Sequence, residues 1–235
     1  MSKVLVIGGG AAGMFAAIFA AYNGNEVHIF EKNEKLGKKL FITGKGRCNI
    51  TNASDMDTLF ASVVTNPKFL YSSFYGYDNQ NVIEFFERIG VRTKVERGNR
   101  VFPVSDHSSD VIGALTKELH QLGVSIHLHT EVKRVVGEGR FEYLETKDGK
   151  KITGDACIVA TGGFSYQTTG STGDGYRFAE ETGLAVGYWA NKEDVIKNWA
   201  IDKTFKPSIT EEDRMARIKG WNKAVKYAYG WAKED

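Results

Sequence analysis

Val4-Leu5-Val6-Ile7-Gly8-Gly9-Gly10-Ala11-Ala12-Gly13 decides the fold of this 235-residue chain. Val4 to Ile7 is a short uninterrupted apolar run, the pattern of a buried strand. Gly8, Gly10 and Gly13 then follow with the spacing GxGxxG, and an apolar stretch of helix length runs on to Asn23, closed by Gly24. Strand before and helix after is the context in which that spacing marks a phosphate-binding turn. Gly8 permits the tight turn, Gly10 leaves room for a pyrophosphate, and Gly13 lets helix and strand pack closely. The N–H groups freed at the helix start, with Ala11 and Ala12 in its first turn, meet phosphate oxygens at the positive end of the helix dipole. A second strand, Glu26 to Phe30, leads into Glu31, 18 residues after Gly13. A carboxylate there accepts hydrogen bonds from a ribose diol. The combination is that of a dinucleotide site, and both FAD and NAD use such a loop.

Outward from this unit the texture stays β/α. Val82, Phe85, Phe86 and Ile89 recur at helical spacing. Ser108 or Ser109 is placed to cap a helix through Leu122, with Val111, Ile112, Leu115 and Leu119 inward. Val124 to His129, Glu131 to Val136, Phe141 to Thr146 and Ala156 to Ala160 read as strands. The expected fold class is therefore α/β: a Rossmann-like domain with a parallel sheet and a β-meander, followed by a short helical tail.

The character changes near residue 187. All four tryptophans lie in the last 47 residues, all five histidines lie before them, and only Gly220 and Gly230 of 26 glycines lie beyond Gly187. Such a break marks a boundary between dissimilar pieces. The expected domains are 1–183 and 184–235. In the second, Thr210 followed by Glu211, Glu212 and Asp213 reads as a helix start, with Ile218, Trp221, Val225 and Ala228 on one face.

Composition narrows the function classes. A net charge of +2 with 26% charged residues gives no electrostatic footprint for nucleic acid or an anionic membrane. Glycines interrupt the apolar run Val4 to Tyr22, so it reads as strand, turn and helix rather than as a leader or a membrane span. Cys48 and Cys157 form no framework and have no metal-ligand spacing with the histidines. The expected compartment is reducing and cytoplasmic. Cys48 lacks a partner thiol, so packing or loop structure is its expected role. His107, His127 and His129 are assigned to strand or surface positions. No nucleophile or general base stands out, and catalytic residues stay unassigned.

Three further stretches favour FAD over NAD. Glu31-Lys32, followed by Gly37-Lys38-Lys39, resembles the segment after the second strand in two-dinucleotide-binding flavoproteins. Glu131-Val132 sits where those proteins turn a backbone amide toward adenine. Ile158-Val159-Ala160-Thr161-Gly162-Gly163 resembles their Ala-Thr-Gly strand near the flavin. Lys39 to Asn52 (KLFITGKGRCNITN), Arg100 to Ser105 (RVFPVS) and Ala160 to Tyr176 (ATGGFSYQTTGSTGDGY) go further. They resemble the aminoacetone-oxidase-type family of NAD(P)/FAD-dependent oxidoreductases, which includes a bacterial bile-acid reductase. The resemblance covers about residues 1–183. It implies that Thr43 to Asn52 lines a flavin pocket, with Arg47 facing the pyrophosphate or a reduced flavin, and Asn49 and Asn52 offering amides. It also implies a second cofactor contact at Gly173 and Asp174, and a nicotinamide nucleotide as electron donor to a small-molecule substrate.

Beyond Gly183 the letters resemble the C-terminal end of a bacterial glycerol kinase. The chain thus reads as a chimera whose flavoprotein part is truncated, without the family's substrate-binding insertion and returning FAD segment. The phosphate-binding motifs and catalytic aspartate of a sugar kinase are absent from the tail, which reads as a packing element. Four readings follow: an FAD-dependent oxidoreductase, a non-catalytic dinucleotide-binding remnant, an NAD-binding module, and a fragment of an ATP-dependent glycerol kinase.

Overall fold

The structure is a computed structural model that describes residues 1–137, 140–182 and 215. The chain divides into two units, Met1–Asp194 and Val195–Asp235. Apart from Met215, which is helical, the tail expected at 184–235 lies outside the described residues.

In chain order the described elements begin β1 (Lys3–Ile7), α1 (Ala11–Tyr22), β2 (Glu26–Phe30) and α2 (Lys38–Ile42). They continue β3 (Thr51–Asn52), α3 (Met56–Ala61), α4 (Tyr71–Gly76), α5 (Asn79–Arg88), β4 (Thr93–Glu96) and β5 (Arg100–Pro103). The last are α6 (Ser108–Gln121), β6 (Ser125–His127), β7 (Val132–Val136), β8 (Tyr143–Thr146), β9 (Lys151–Thr153), β10 (Ala156–Val159) and α7 (Asp174–Glu181).

A four-stranded sheet of order β10-β1-β2-β6 is parallel throughout. β1 alternates its side chains between two apolar layers. Val4 and Val6 face α1, α5 and α6, through Met14, Ile18, Phe85, Val111, Leu115 and Leu119. Leu5 and Ile7 face Phe30, Leu144, Val132 and Phe178. Burial on both faces is why β1 is an unbroken apolar run rather than an alternating one. The antiparallel meander β7-β8-β9 fits the expected β-meander and gains a third strand at Lys151–Thr153. A small antiparallel sheet, β3-β5-β4, was not expected from the sequence.

The sheet has a switch in direction. Successive parallel strands β1, β2 and β6 build outward on one side, and β10 returns to pair with β1 on the other. Ligands of open α/β sheets bind beyond the carboxyl ends of strands at such a point. The loop Gly8 to Gly10 occupies it. Gly8 has φ +102°, a conformation that favours glycine, and a side chain there would meet the Ala160 carbonyl at 2.5 Å.

The α6 start corrects one expectation. His107 holds the cap position without a capping side chain. Ser108 is buried instead, and its hydroxyl donates to the Phe41 carbonyl at 2.8 Å, tying α6 to α2. Asp78 caps α5 through the Asn81 N–H at 2.8 Å, and the Asn81 side chain returns a bond to the Asp78 N–H.

Candidate nucleotide-binding site

A cleft of about 500 Å³ opens at the carboxyl ends of β1, β2 and β10. Eleven of the sequence-predicted residues line it: Gly8, Gly10, Ala11, Ala12, Glu31, Lys32, Lys39, Val132, Thr161, Gly162 and Asp174. They come from the β1–α1 turn and the start of α1, the segment after β2, α2, the start of β7, the segment after β10 and the start of α7.

Glu31 is the organising side chain. It is 7% exposed, at the floor of the cleft. Its Oε2 accepts the Gly9 N–H at 2.7 Å. Its Oε1 accepts the Asn33 N–H at 2.8 Å and the Asn33 side-chain amide at 2.6 Å. These donors fix the carboxylate in one orientation and use three of its roughly four lone-pair sites, leaving one open on Oε2. Gly10 has open space where a side chain would begin, whereas a Cβ on Gly13 would run into the Gly8 carbonyl. Gly13 therefore serves the packing of α1 on β1, and Gly10 keeps the cleft clear. A buried oriented carboxylate beside a bare helix start fits the ribose and pyrophosphate of a dinucleotide.

The opposite wall is strapped to this one by side chains. Lys32 Nζ donates to Thr172 Oγ1 at 2.7 Å and to Asp174 Oδ2 at 2.8 Å. Asn33 Nδ2 reaches the Thr169 carbonyl at 3.2 Å. Lys39 Nζ reaches Ser165 Oγ at 2.6 Å and its carbonyl at 3.1 Å. Burial raises the Asp174 carboxyl, but the Lys32 ammonium and the Thr172 hydroxyl outweigh it and hold the group below the ordinary aspartate value. Lys32 and Asp174 thus neutralise one another across the cleft. Asn33, Thr43, Thr169, Gly170 and Ser171 also line it. Thr43 begins the loop that the resemblance placed at the cofactor; the other four were not singled out from the sequence, and of these Asn33, two residues past Glu31, carried a local signal.

Arg47 and Asn49 are not brought to the cleft. The resemblance placed the Arg47 guanidinium on the pyrophosphate or flavin. Instead it pairs with Glu96 and Asp106 and lies over the Phe102 ring, 4.3 Å from its centroid. Two carboxylates satisfy a guanidinium where one phosphate was expected. The Asn49 amide sits 3.3 Å from the Thr51 and Val101 carbonyls, against the small sheet. Asn52 bonds the Gly98 carbonyl at 2.9 Å. Gly173 lies just outside the lining, as the left-handed residue (φ +76°) that starts α7 beside the Phe164 ring.

Both cysteine thiols are held toward the protonated form. Burial raises the Cys48 thiol, partly offset by the Thr43 side chain, and pushes Cys157 up to about 12. Thiols held protonated are unreactive, in keeping with a packing role. Among the described residues no cluster of three or more histidine, cysteine or acidic side chains is placed to hold a metal. No described helix is long and apolar enough to cross a membrane.

Parallel strands with a glycine turn at the switch point, and an oriented carboxylate ending β2, define a dinucleotide-binding Rossmann protein. The HI0933-like protein Rossmann domain matches residues 2–189. The chain belongs to this HI0933-like Rossmann family, within the FAD-dependent oxidoreductase superfamily. It is 34% identical over 188 residues to the 3-dehydro-bile acid delta(4,6)-reductase of Clostridium scindens, covering 78% of this chain and 44% of that protein. It is 29% identical over 188 residues to a ribosomal RNA dihydrouridine synthase of Haemophilus influenzae, covering 79% of this chain and 46% of that one. The chain thus spans less than half the length of these relatives. A separate likeness, 51% over 53 residues, is to the glycerol kinase of Agathobacter rectalis, covering 23% of this chain and 11% of the kinase. Among solved structures, the 3-ketosteroid-delta4-(5alpha)-dehydrogenase of Rhodococcus jostii shares the fold. Its TM-score is 0.56 at 18% identity, covering 70% of this chain and 46% of that one.

Proposed function

We propose that this chain binds FAD and serves as the cofactor-holding part of an oxidoreductase. The observation that carries the reading is the Glu31 carboxylate, buried and oriented by Gly9 and Asn33 at the foot of the glycine turn. Gly8, Gly10, Ala11 and Ala12 would take the pyrophosphate, Glu31 the ribose diol of the adenosine, and Thr130, Glu131 and Val132 the adenine side. Thr161 and Gly162, beyond β10, would meet the part of the cofactor nearer the flavin. When bound, FAD supplies the exchange of a hydride between donor and substrate. The chain's own residues bind, orient and exclude water. Family membership supports FAD over NAD. A nicotinamide nucleotide is the proposed electron donor. The names of two relatives, a reductase and a dihydrouridine synthase, support chemistry in the reducing direction.

Titration with FAD, followed by flavin fluorescence, tests the reading. Saturable binding is expected in the native chain. Glu31→Gln, which keeps the shape and removes the charge, is expected to bind about 10- to 100-fold more weakly, the worth of ~1.5–3 kcal/mol for a charged hydrogen bond. Equal affinity in the two proteins would remove the basis for the reading.

A further inference from the structure

Behind the nucleotide cleft, two imidazoles share one hydrogen bond. His28 Nδ1 lies 3.1 Å from His127 Nε2, and His28 Nε2 lies 2.7 Å from Glu26 Oε1. In the sheet register His127 pairs with Phe30, so the rings of His28, Phe30 and His127 stand on one face. They are nearly parallel: His127 is 4.7 Å from Phe30 at 6° and 5.4 Å from His28 at 11°, centroid to centroid. The same face borders a second cleft of about 760 Å³.

The protons on this chain of groups can be counted. Glu26 is held ionised below its usual value, first by the His28 hydrogen bond, so it only accepts. His28 Nε2 therefore donates, and neutral His28 offers Nδ1 as an acceptor. His127 Nε2 must then donate. One added proton is tolerated: it sits on His28 Nδ1, and His127 moves its own proton to Nδ1 and accepts at Nε2. A second added proton sets two N–H groups and two positive charges against each other across 3.1 Å.

The other charges facing the pair have partners of opposite sign. Lys3 on β1 lies 4.0 Å from Glu26, and its backbone N–H binds Asp155. Lys32, after β2, is taken by Asp174. From the β8–β9 turn, Lys147 pairs with Glu131, which follows β6, and Lys150 pairs with Asp148. His129 also borders the second cleft. Between pH 5 and 7 the groups of ordinary value near that range are the histidines. Burial, then the charges of His28 and Lys3, hold His127 below its usual value.

The pair is joined to the nucleotide cleft by backbone. The Glu31 N–H donates to the His127 carbonyl at 2.9 Å, and the Thr130 N–H donates to the Glu31 carbonyl at 2.9 Å. Phe30, stacked on His127, also lines the nucleotide cleft. We propose that Glu26, His28 and His127 form a proton-limited brace for Glu31, so that full protonation of the histidine pair releases the bound nucleotide. This rests on the reading of the cleft as a nucleotide site. By linkage, nucleotide binding and the second proton oppose each other equally.

Two measurements on the full chain test it: ring-nitrogen NMR of the histidines from pH 4.5 to 8, and FAD affinity over the same range. His127 is expected to take up its proton below the ordinary histidine value, with His28 facing it at 3.1 Å. FAD affinity is expected to stay level from pH 7.5 to 6.5 and to fall as that proton is taken up, by up to about tenfold per pH unit below that step. His28→Gln keeps a donor for Glu26 and an acceptor for His127, and is expected to flatten that fall to within about twofold; His127→Gln serves the same purpose if the first variant does not fold. Titration of His127 at or above the ordinary histidine value would overturn the brace. An unchanged pH slope in the variants, or tighter binding at low pH, would overturn its coupling. A chain that binds no FAD even at pH 7.5 would refute the nucleotide reading and the coupling together, while the ring titration still decides the brace.

Discussion

Gly10 and Gly13 lie three residues apart in one motif and do different physical work. A Cβ on Gly13 would overlap the Gly8 carbonyl, so Gly13→Ala must push α1 off β1. Overpacking of this kind costs about 1–3 kcal/mol, and a lowered thermal midpoint is expected. A Cβ on Gly10 meets nothing within 4 Å, and its φ of −78° suits any residue. Gly10→Ala is expected to leave the midpoint nearly unchanged and to weaken FAD binding, because its methyl group enters the space kept for phosphate. The two variants exchange effects if the roles are misassigned. At this scale the sequence was informative wherever backbone geometry forces the residue type. It was uninformative for Arg47. A single arginine in a loop says nothing of its partners Glu96 and Asp106, 49 and 59 residues away, which claim it in the structure.

Elements were legible in proportion to their periodicity. β1, α1 and β2 follow from apolar runs and a glycine turn, and α5 and α6 from their 3.6-residue stripes. The β3-β5-β4 sheet escaped because its strands are two to four residues long and lack alternation: Val101 and Phe102 are adjacent and both buried, while Val95 is exposed. Between elements, the Lys32–Asp174 bridge makes a pH prediction. The folded Asp174 value is lowered, so the bridge contributes stability above the ordinary aspartate value, and the contribution is lost as pH falls through the folded one. Acid unfolding of Asp174→Asn, followed by circular dichroism, is therefore expected to show a shallower dependence on pH below the ordinary aspartate value than the native chain. The variant should also be less stable near pH 7. Identical acid profiles would mean that the strap is incidental to folding.

For the whole molecule, two likenesses occur in one chain, a Rossmann family over residues 2–189 and a glycerol kinase over a 53-residue stretch. Tryptophan, histidine and glycine all change usage near residue 187, which is where the sequence leads one to expect a boundary. What the letters could not convey is how walls from distant segments enclose the cleft, because the Lys32 and Asn33 contacts span some 140 residues. As proposed above, the cleft would recognise the adenosine diphosphate half of a dinucleotide through Glu31 and the Gly8 to Gly13 turn. Competition against bound FAD tests it most directly. ADP is expected to displace FAD fully, and FMN, which has a flavin and one phosphate but no adenosine, is expected not to. Displacement by FMN with none by ADP would contradict the account.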